Sequence, residues 1–448
     1  MDFSKIVLEH KEEIIEETNR LLAIPSVLEA FDPESKHPFG EDINDALEHM
    51  LALGEKDGFV TKNVDAYAGH IEYGSGHELL GILCHLDVVP AGDGWTSPPF
   101  EPALRNGRIY ARGAIDDKGP TMAAYFALKL LKKHGFVPKK LVRIILGTDE
   151  ETAWRGIDHY FTNEQMPDIG FAPDANFPLI YGEKGLLSFV IEGEIGDAEL
   201  LSFRAGDRMN VVPDRAECEL SIDLEDAFHA YLKKHNYVGS VEDGLYKIEG
   251  KRAHAMQPDK GVNAASLLID FLKDHIHNPY IELISKYFTF DHFGKKLRID
   301  HYDEEMKEFT MNPAVFEVEN GYCKIGVNGR YPKGWDKEGS LKKVTNIANG
   351  YNFSMKVTTD KEIHYVDPQD PFVQTLHNSY KKFTGDEDSK LLTIGGGTYS
   401  RALKKAVAFG PMMPGREDVV HQLDEYIVVD DLLKATAIYM DAIYELTK

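Results

Sequence analysis

A histidine and an aspartate, His85 and Asp87 in "GILCHLDVVPAG", close an apolar run that begins at Leu79. Residues i and i+2 of a strand share a face, so this imidazole and this carboxylate can reach one point. Loops beyond the carboxyl ends of strands in α/β sheets are where ligands bind. The same kind of ending recurs along the chain: Asp116 and Asp117 in "ARGAIDDKGP", Glu150 and Glu151 in "LGTDEETAW", Asp174 in "FAPDANFP" and His421 in "EDVVHQLDEY". Taken singly, each has a plain structural reading as a helix cap, an acidic first turn, a turn residue or a surface histidine. Taken together, carboxylates gathered in one cleft repel unless a cation neutralises them. Histidine and carboxylate without cysteine suit zinc, manganese or cobalt. Because carboxylates bridge, two ions about 3.5–4 Å apart could activate one water. Spacing alone does not separate Glu150 from Glu151, or Asp116 from Asp117.

The elements that must position these groups alternate. The pattern predicts an amphipathic N-terminal helix ending before Pro25, a helix at 41–57, strands near 59–72 and 79–84, a helix from Pro120 to about His134, a strand at 141–147 and a helix from about Thr152. Strand and helix taking turns predict an α/β catalytic domain, with a mixed, mostly parallel sheet covered by helices on both faces. After about Lys184 the pattern becomes two-residue alternation ("LLSFVIEGEI", "AECELSIDLE"), with helices near 263–286 and 340–349. This predicts an α+β unit of antiparallel character. The segment "HYVDPQDP", 364–371, reads as a linker, and the first style returns with a helix near 371–384, the strand "AVAFG" and a last helix from Asp430. The expected organisation is therefore a catalytic domain in two parts, 1–183 and 367–448, with an inserted α+β lid domain at 184–366.

Composition narrows the classes. With 448 residues, 43% hydrophobic and 28% charged, the chain is globular, and no stretch approaches the ~20 apolar residues of a membrane span. A net charge of -24 argues against a phosphate-backbone partner, since nucleic-acid binding begins with clustered Lys and Arg. The three cysteines, Cys84, Cys218 and Cys323, are odd in number and far apart. They predict a reducing, cytoplasmic setting and neither a disulfide framework nor a cysteine zinc site. The N-terminal segment lacks the basic and apolar regions of a signal peptide. "GGG" at 395–397 lacks the context of a phosphate loop.

The succession "HLD", "ARGAIDDKG", "TDEE", Asp174 and a late His421 resembles the M20 family of dinuclear metallopeptidases. Within it, "GWTSPPFEP", "AHAMQPDKGVNA", "NGRYPKG" and "GGGTYSR" are most similar to the bacterial PepV-type dipeptidase branch, itself similar to carnosinase-like enzymes. The resemblance implies two divalent metal ions, Zn2+ before Mn2+, bridged by Asp116. His85 and Asp174 would complete one site, and Glu151 and His421 the other. It further implies Glu150 as general base, Asp87 as the group orienting His85, and a cis peptide between Asp116 and Asp117. In the lid it implies His254 at the oxyanion, Asn210 positioning the substrate and Arg330 holding a free carboxylate. Gly395, Gly396, Gly397 and Thr398 would offer it backbone N–H groups. The implied function is hydrolysis of unblocked dipeptides by a metal-activated water. Residues 278–321 resemble the monomeric branch, with a homodimer as the alternative. The rival functions are an N-acyl amino acid deacylase or desuccinylase and a catalytically silent metal-binding regulatory protein. The sequence does not choose between zinc and manganese. Nor does it give the side-chain preference, the fate of β-alanyl dipeptides, or the resting state of the lid.

Overall fold

All seven residues of the strand Leu79–His85 are buried, as they must be inside a sheet covered on both faces. One face carries Ile82, Cys84, Ile144 and Leu146 against Met122, Ala123 and Phe126. The other carries Leu83 and Ile145 against Ile157, Tyr160, Tyr399 and Leu403. The computed structural model describes residues 1–196 and 199–448. Its contacts divide the chain into two units: Met1–Gly182, Tyr365–Leu392 and Thr398–Lys448 form the first, and Glu183–His364 with Thr393–Gly397 the second.

In the first unit, Leu79–His85 runs parallel to Leu141–Gly147 on one side and to Ile169–Ala172 on the other, which is parallel in turn to Ala406–Ala408. Antiparallel strands flank this centre: Val60–Val64 and Ala68–Gly74 beyond Leu141–Gly147, and Ile180–Glu183 beyond Ala406–Ala408. The sheet is thus mixed, and parallel where the chemistry-bearing strands lie. The helix Lys118–Lys133 buries most of its length, consistent with the small and apolar run "MAAYFAL", and packs with the last helix, Val429–Thr447.

The second unit is an eight-stranded antiparallel sheet with its own core. Its long central strands, Gly185–Glu194, Thr310–Glu319 and Tyr322–Tyr331, alternate inward residues such as Leu187, Phe189, Phe316, Ile325 and Val327. The helices Glu225–His235, Ala264–Leu272, Pro279–Tyr287 and Lys337–Gly350 supply the apolar partners.

Several boundaries differ from the sequence pattern. The N-terminal helix is two, Phe3–Glu9 and Lys11–Leu22, meeting at His10. The apolar pattern at 263–286 splits because Asn278 caps a new helix whose first residue is Pro279, and a proline cannot continue the preceding one. The stretch near 59–72 is a hairpin of two strands. The helix expected from Thr152 begins at Arg155. The helix expected from Pro120 begins at Lys118, placing that proline in its first turn. Among the described residues, no helix is long and apolar enough to cross a membrane.

Gly147 ends its strand against a fully buried tyrosine, and a Cβ there would lie 2.1 Å from the Tyr399 hydroxyl oxygen and 2.9 Å from Cζ. Since overpacking costs roughly 1–3 kcal/mol, Gly147→Ala is expected to lower the urea-unfolding free energy by about that amount.

Candidate active site

Strand register sets the site. His85 pairs with Gly147 and Ile82 with Phe171, so the turn carrying Glu150 and Glu151 and the residue Asp174 leave the sheet beside His85, at one edge. Asp116 and Asp117, joined by a cis peptide, immediately precede the helix Lys118–Lys133. His421 lies in a loop with φ of 60°, a left-handed backbone that a non-glycine residue adopts only where its surroundings hold it.

The structure brings the five expected ligands together in two groups that meet at Asp116. Asp116 Oδ1 lies 2.9 Å from His85 Nε2, and Asp116 Oδ2 lies 3.0 Å from His421 Nε2. Asp174 Oδ1 is 4.0 Å from His85 Nε2, while Glu151 Oε1 is 2.9 Å from His421 Nε2. Ligand atoms of His85, Asp116 and Glu151 all fall within 4.8 Å of one another. Each oxygen of one carboxylate therefore faces a different imidazole, and each imidazole a further carboxylate.

Asp87 does more than sit behind His85. Its backbone carbonyl lies 3.0 Å from His85 Nδ1 and its Oδ1 3.6 Å from the same nitrogen. Its carboxylate also accepts the N–H groups of Glu150 and Glu151, each at 3.1 Å, and so holds the acidic turn. The other side of that turn is held by Asp149, which accepts from Arg155 Nε at 2.8 Å and Nη2 at 2.7 Å. Asp117 points away from the ligand group, its Oδ2 accepting from the His85 backbone N–H at 3.1 Å and from Thr121 Oγ1 at 3.3 Å.

The electrostatics fit cations. Burial, reinforced by the charge of Asp116, pushes Asp174 well above the carboxylate range. Burial pushes Glu150 up to about 8, with Glu151, Asp116 and Asp87 adding to the rise against the pull of His85. Glu151 is also raised, burial outweighing its bond to His421. Burial works against the charged form of His421, yet its bonds to Asp116 and Glu151 raise it to about 10. Burial opposes ionisation of Asp116 as well, but His421 and His85 hold it well below its ordinary value. Without metal, burial thus favours proton uptake by Asp174, Glu150 and Glu151, a cost that cations on the same donors would relieve.

Most of the residues expected to bind substrate belong to the second unit. There the backbone carbonyl of Asn210 accepts the Ala255 N–H at 2.9 Å, beside the bridge between Val211 and His254. Arg330, buried, donates Nε–H to Asn328 Oδ1 at 2.8 Å and Nη1–H to the Gly395 carbonyl at 2.9 Å. Burial and the nearby Arg330 charge both lower His254. Gly395 and Gly396 lie against Met256, which follows His254 closely in the chain. Gly397 closes this short segment of the second unit, whereas Thr398 falls in the first, where its hydroxyl lies 2.9 Å from Ser400 Oγ.

Sequence reading missed Glu425 and Arg112. Glu425 is fully buried and accepts from Arg112 Nη1 at 2.6 Å, from the Ile115 N–H at 2.9 Å and from the Asp116 N–H at 3.2 Å. The available signal was an acid so close behind His421 and an arginine so close ahead of Asp116.

Residues 81–445 match the model of peptidase family M20/M25/M40. The chain is 44% identical to "Putative dipeptidase YtjP" of Bacillus subtilis (strain 168), covering all of both chains. It is 42% identical to a protein of Staphylococcus epidermidis (strain ATCC 12228 / FDA PCI 1200) described as "Putative dipeptidase", covering 98% of each. Among solved structures, human carnosine dipeptidase 1 shares the fold at a TM-score of 0.61 and 15% identity, over 99% of this chain and 98% of that one.

If Asp116 serves both donor groups, Asp116→Ala is expected to abolish uptake of two ions, whereas His85→Ala and His421→Ala each abolish one. Elemental analysis after reloading a stripped sample checks this.

Proposed function

We propose that this chain, which belongs to peptidase family M20/M25/M40, is a metal-dependent dipeptidase acting on unblocked dipeptides. One observation carries the reading: a single carboxylate, Asp116, is shared between His85 and His421, with Asp174 and Glu151 completing the two donor groups. The designations of the relatives that match end to end support the substrate class. His85, Asp116 and Asp174 would hold one divalent ion, and Glu151, His421 and Asp116 the other, zinc or manganese in each. When bound, the ions acidify a water and polarise the scissile carbonyl.

The residues of this chain do the rest. Glu150 takes the proton of the attacking water and passes it to the leaving amine. The burial that raises its carboxyl in the metal-free chain favours its taking up a proton during the reaction. Asp87 keeps His85 in place from behind and fixes the backbone from which Glu150 projects. In the second unit, Arg330 is assigned the substrate's free carboxylate, His254 the oxyanion and Asn210 substrate positioning, with Gly395, Gly396 and Gly397 offering N–H groups. Thr398 is assigned to the same carboxylate through its backbone N–H.

The deciding experiment measures amino acid release from a dipeptide panel, β-alanyl peptides included, beside N-acetyl and N-succinyl amino acids. Dipeptides are expected to be cleaved with the higher kcat/KM, and faster turnover of the N-acyl compounds would replace the reading with a deacylase. Glu150→Gln is expected to lower kcat by roughly 10²–10⁴-fold while metal content stays unchanged. Undiminished hydrolysis by that variant would remove Glu150 from the mechanism.

We also read the chain as a cytoplasmic monomer. Its three cysteines are free and buried, which suits a reducing compartment. Light scattering at micromolar protein is expected to give the mass of a single chain.

A further inference from the structure

The two donor groups are supported unequally. His85 and Asp174 stand at the ends of adjoining parallel strands, and the sheet itself sets their spacing. Asp117 adds to that side, tying the turn beside Asp116 to the His85 N–H and to Thr121. His421 lies outside the central sheet, in the loop before the short strand Tyr426–Val428 that pairs with Arg108–Tyr110. It sits in a loop where both it and Asp424 take left-handed backbone, with φ of 60° and 54°.

Two acids following His421 anchor that loop. Asp424 Oδ1 accepts the Thr96 N–H at 2.9 Å and its Oδ2 the Thr96 hydroxyl at 2.7 Å. Glu425, fully buried, reaches the segment that carries Asp116. One of its oxygens accepts the Ile115 and Asp116 N–H groups, and the other accepts from Arg112. Its backbone carbonyl accepts the Ala111 N–H at 3.1 Å. One residue thereby fixes where the His421 loop ends relative to the backbone of Asp116, the two segments that must converge for His421 Nε2 to meet Asp116 Oδ2 at 3.0 Å.

We propose that Glu425, with its partner Arg112, is the positioning residue of the ion site formed by Asp116, Glu151 and His421, and that the site of His85 and Asp174, which shares Asp116 but takes its other donors from the ends of paired strands, is much less affected. The inference rests on the two-ion reading above. Glu425 touches neither ion nor substrate and acts through the backbone of Asp116 and the loop of His421. Groups that orient metal ligands are typically worth 10–100-fold in metal affinity. Here that effect falls mainly on one ion of two, because only the His421 ligand lies in a loop that these acids brace, whereas the turn of Asp116 is also tied to the His85 strand through Asp117.

The test is a calorimetric Mn2+ titration of the metal-stripped full chain, its binding steps assigned with His85→Ala and His421→Ala. Glu425→Gln keeps the shape and an acceptor oxygen but loses the charge opposite Arg112. It is expected to weaken the step that His421→Ala abolishes by roughly 10–100-fold, and the other by less than about threefold. Thr96→Val, at an exposed position, removes the hydroxyl half of the Asp424 anchor while leaving the N–H half, and is expected to weaken the same step by a smaller factor. Equal weakening of both steps by Glu425→Gln, or no change in either, overturns the proposal. Should that buried variant fail to fold, Arg112→Lys, which keeps the positive charge but loses the guanidinium that meets Glu425, decides, and an unaltered His421 step overturns the proposal. Uptake of fewer than two ions by the unmodified chain would sink the two-ion reading itself, and would be visible before any variant is made.

Discussion

The arrangement depends on one carboxylate divided between two imidazoles. Asp116 is mostly buried, and its two oxygens face histidines from distant parts of the chain. Such a group is costly to bury unless each oxygen is satisfied, so the backbone that bears it must be held without using those oxygens. The chain meets this demand with acids that are not ligands. Asp87, Asp117 and Glu425 accept backbone N–H groups of Glu150 and Glu151, of His85, and of Ile115 and Asp116 respectively. The acidic residues at this edge therefore form two ranks, one facing the centre and one clamping the main chain beneath it.

The clamps differ in what they lean on. Strand pairing gives His85, the Glu150 turn and Asp174 a common frame, because parallel register brings their strand ends to the same level. The His421 loop is framed by side chains, through Thr96 with Asp424 and Arg112 with Glu425, and by the short strand Tyr426–Val428 that follows it and pairs with Arg108–Tyr110. A sheet edge and a braced loop thus converge on one carboxylate.

Much of this was legible in the sequence. An apolar run stopped by His85 and Asp87 marks a strand end, and the shift to two-residue alternation after Lys184 marks where the second unit's strands begin. The choice between Asp116 and Asp117 was not legible from spacing, because backbone conformation decides which carboxylate turns to the histidines and which to the His85 N–H. Glu425 escaped notice because its partners lie about three hundred positions earlier. The start of the helix at Arg155 escaped for a local reason: Trp154 takes left-handed backbone with φ of 62°, which no helix continues through, and Asp149 binds the N–H and guanidinium of Arg155 just beyond it. A five-residue stretch such as Thr393–Gly397 looks like an ordinary glycine turn, with no pattern long enough to reveal which unit it joins.

That small stretch makes the second unit discontinuous. Ile394 offers its carbonyl to the Lys184 N–H at 3.0 Å, Thr393 donates its hydroxyl to the Glu305 carbonyl at 2.8 Å, and Gly395 receives the Arg330 guanidinium. A gene fragment spanning 183–364 would encode nearly all of this body yet leave the seat of its buried arginine on another piece of DNA. Grafting it onto a foreign scaffold, or swapping it between relatives, therefore needs two cassettes exchanged as a matched pair.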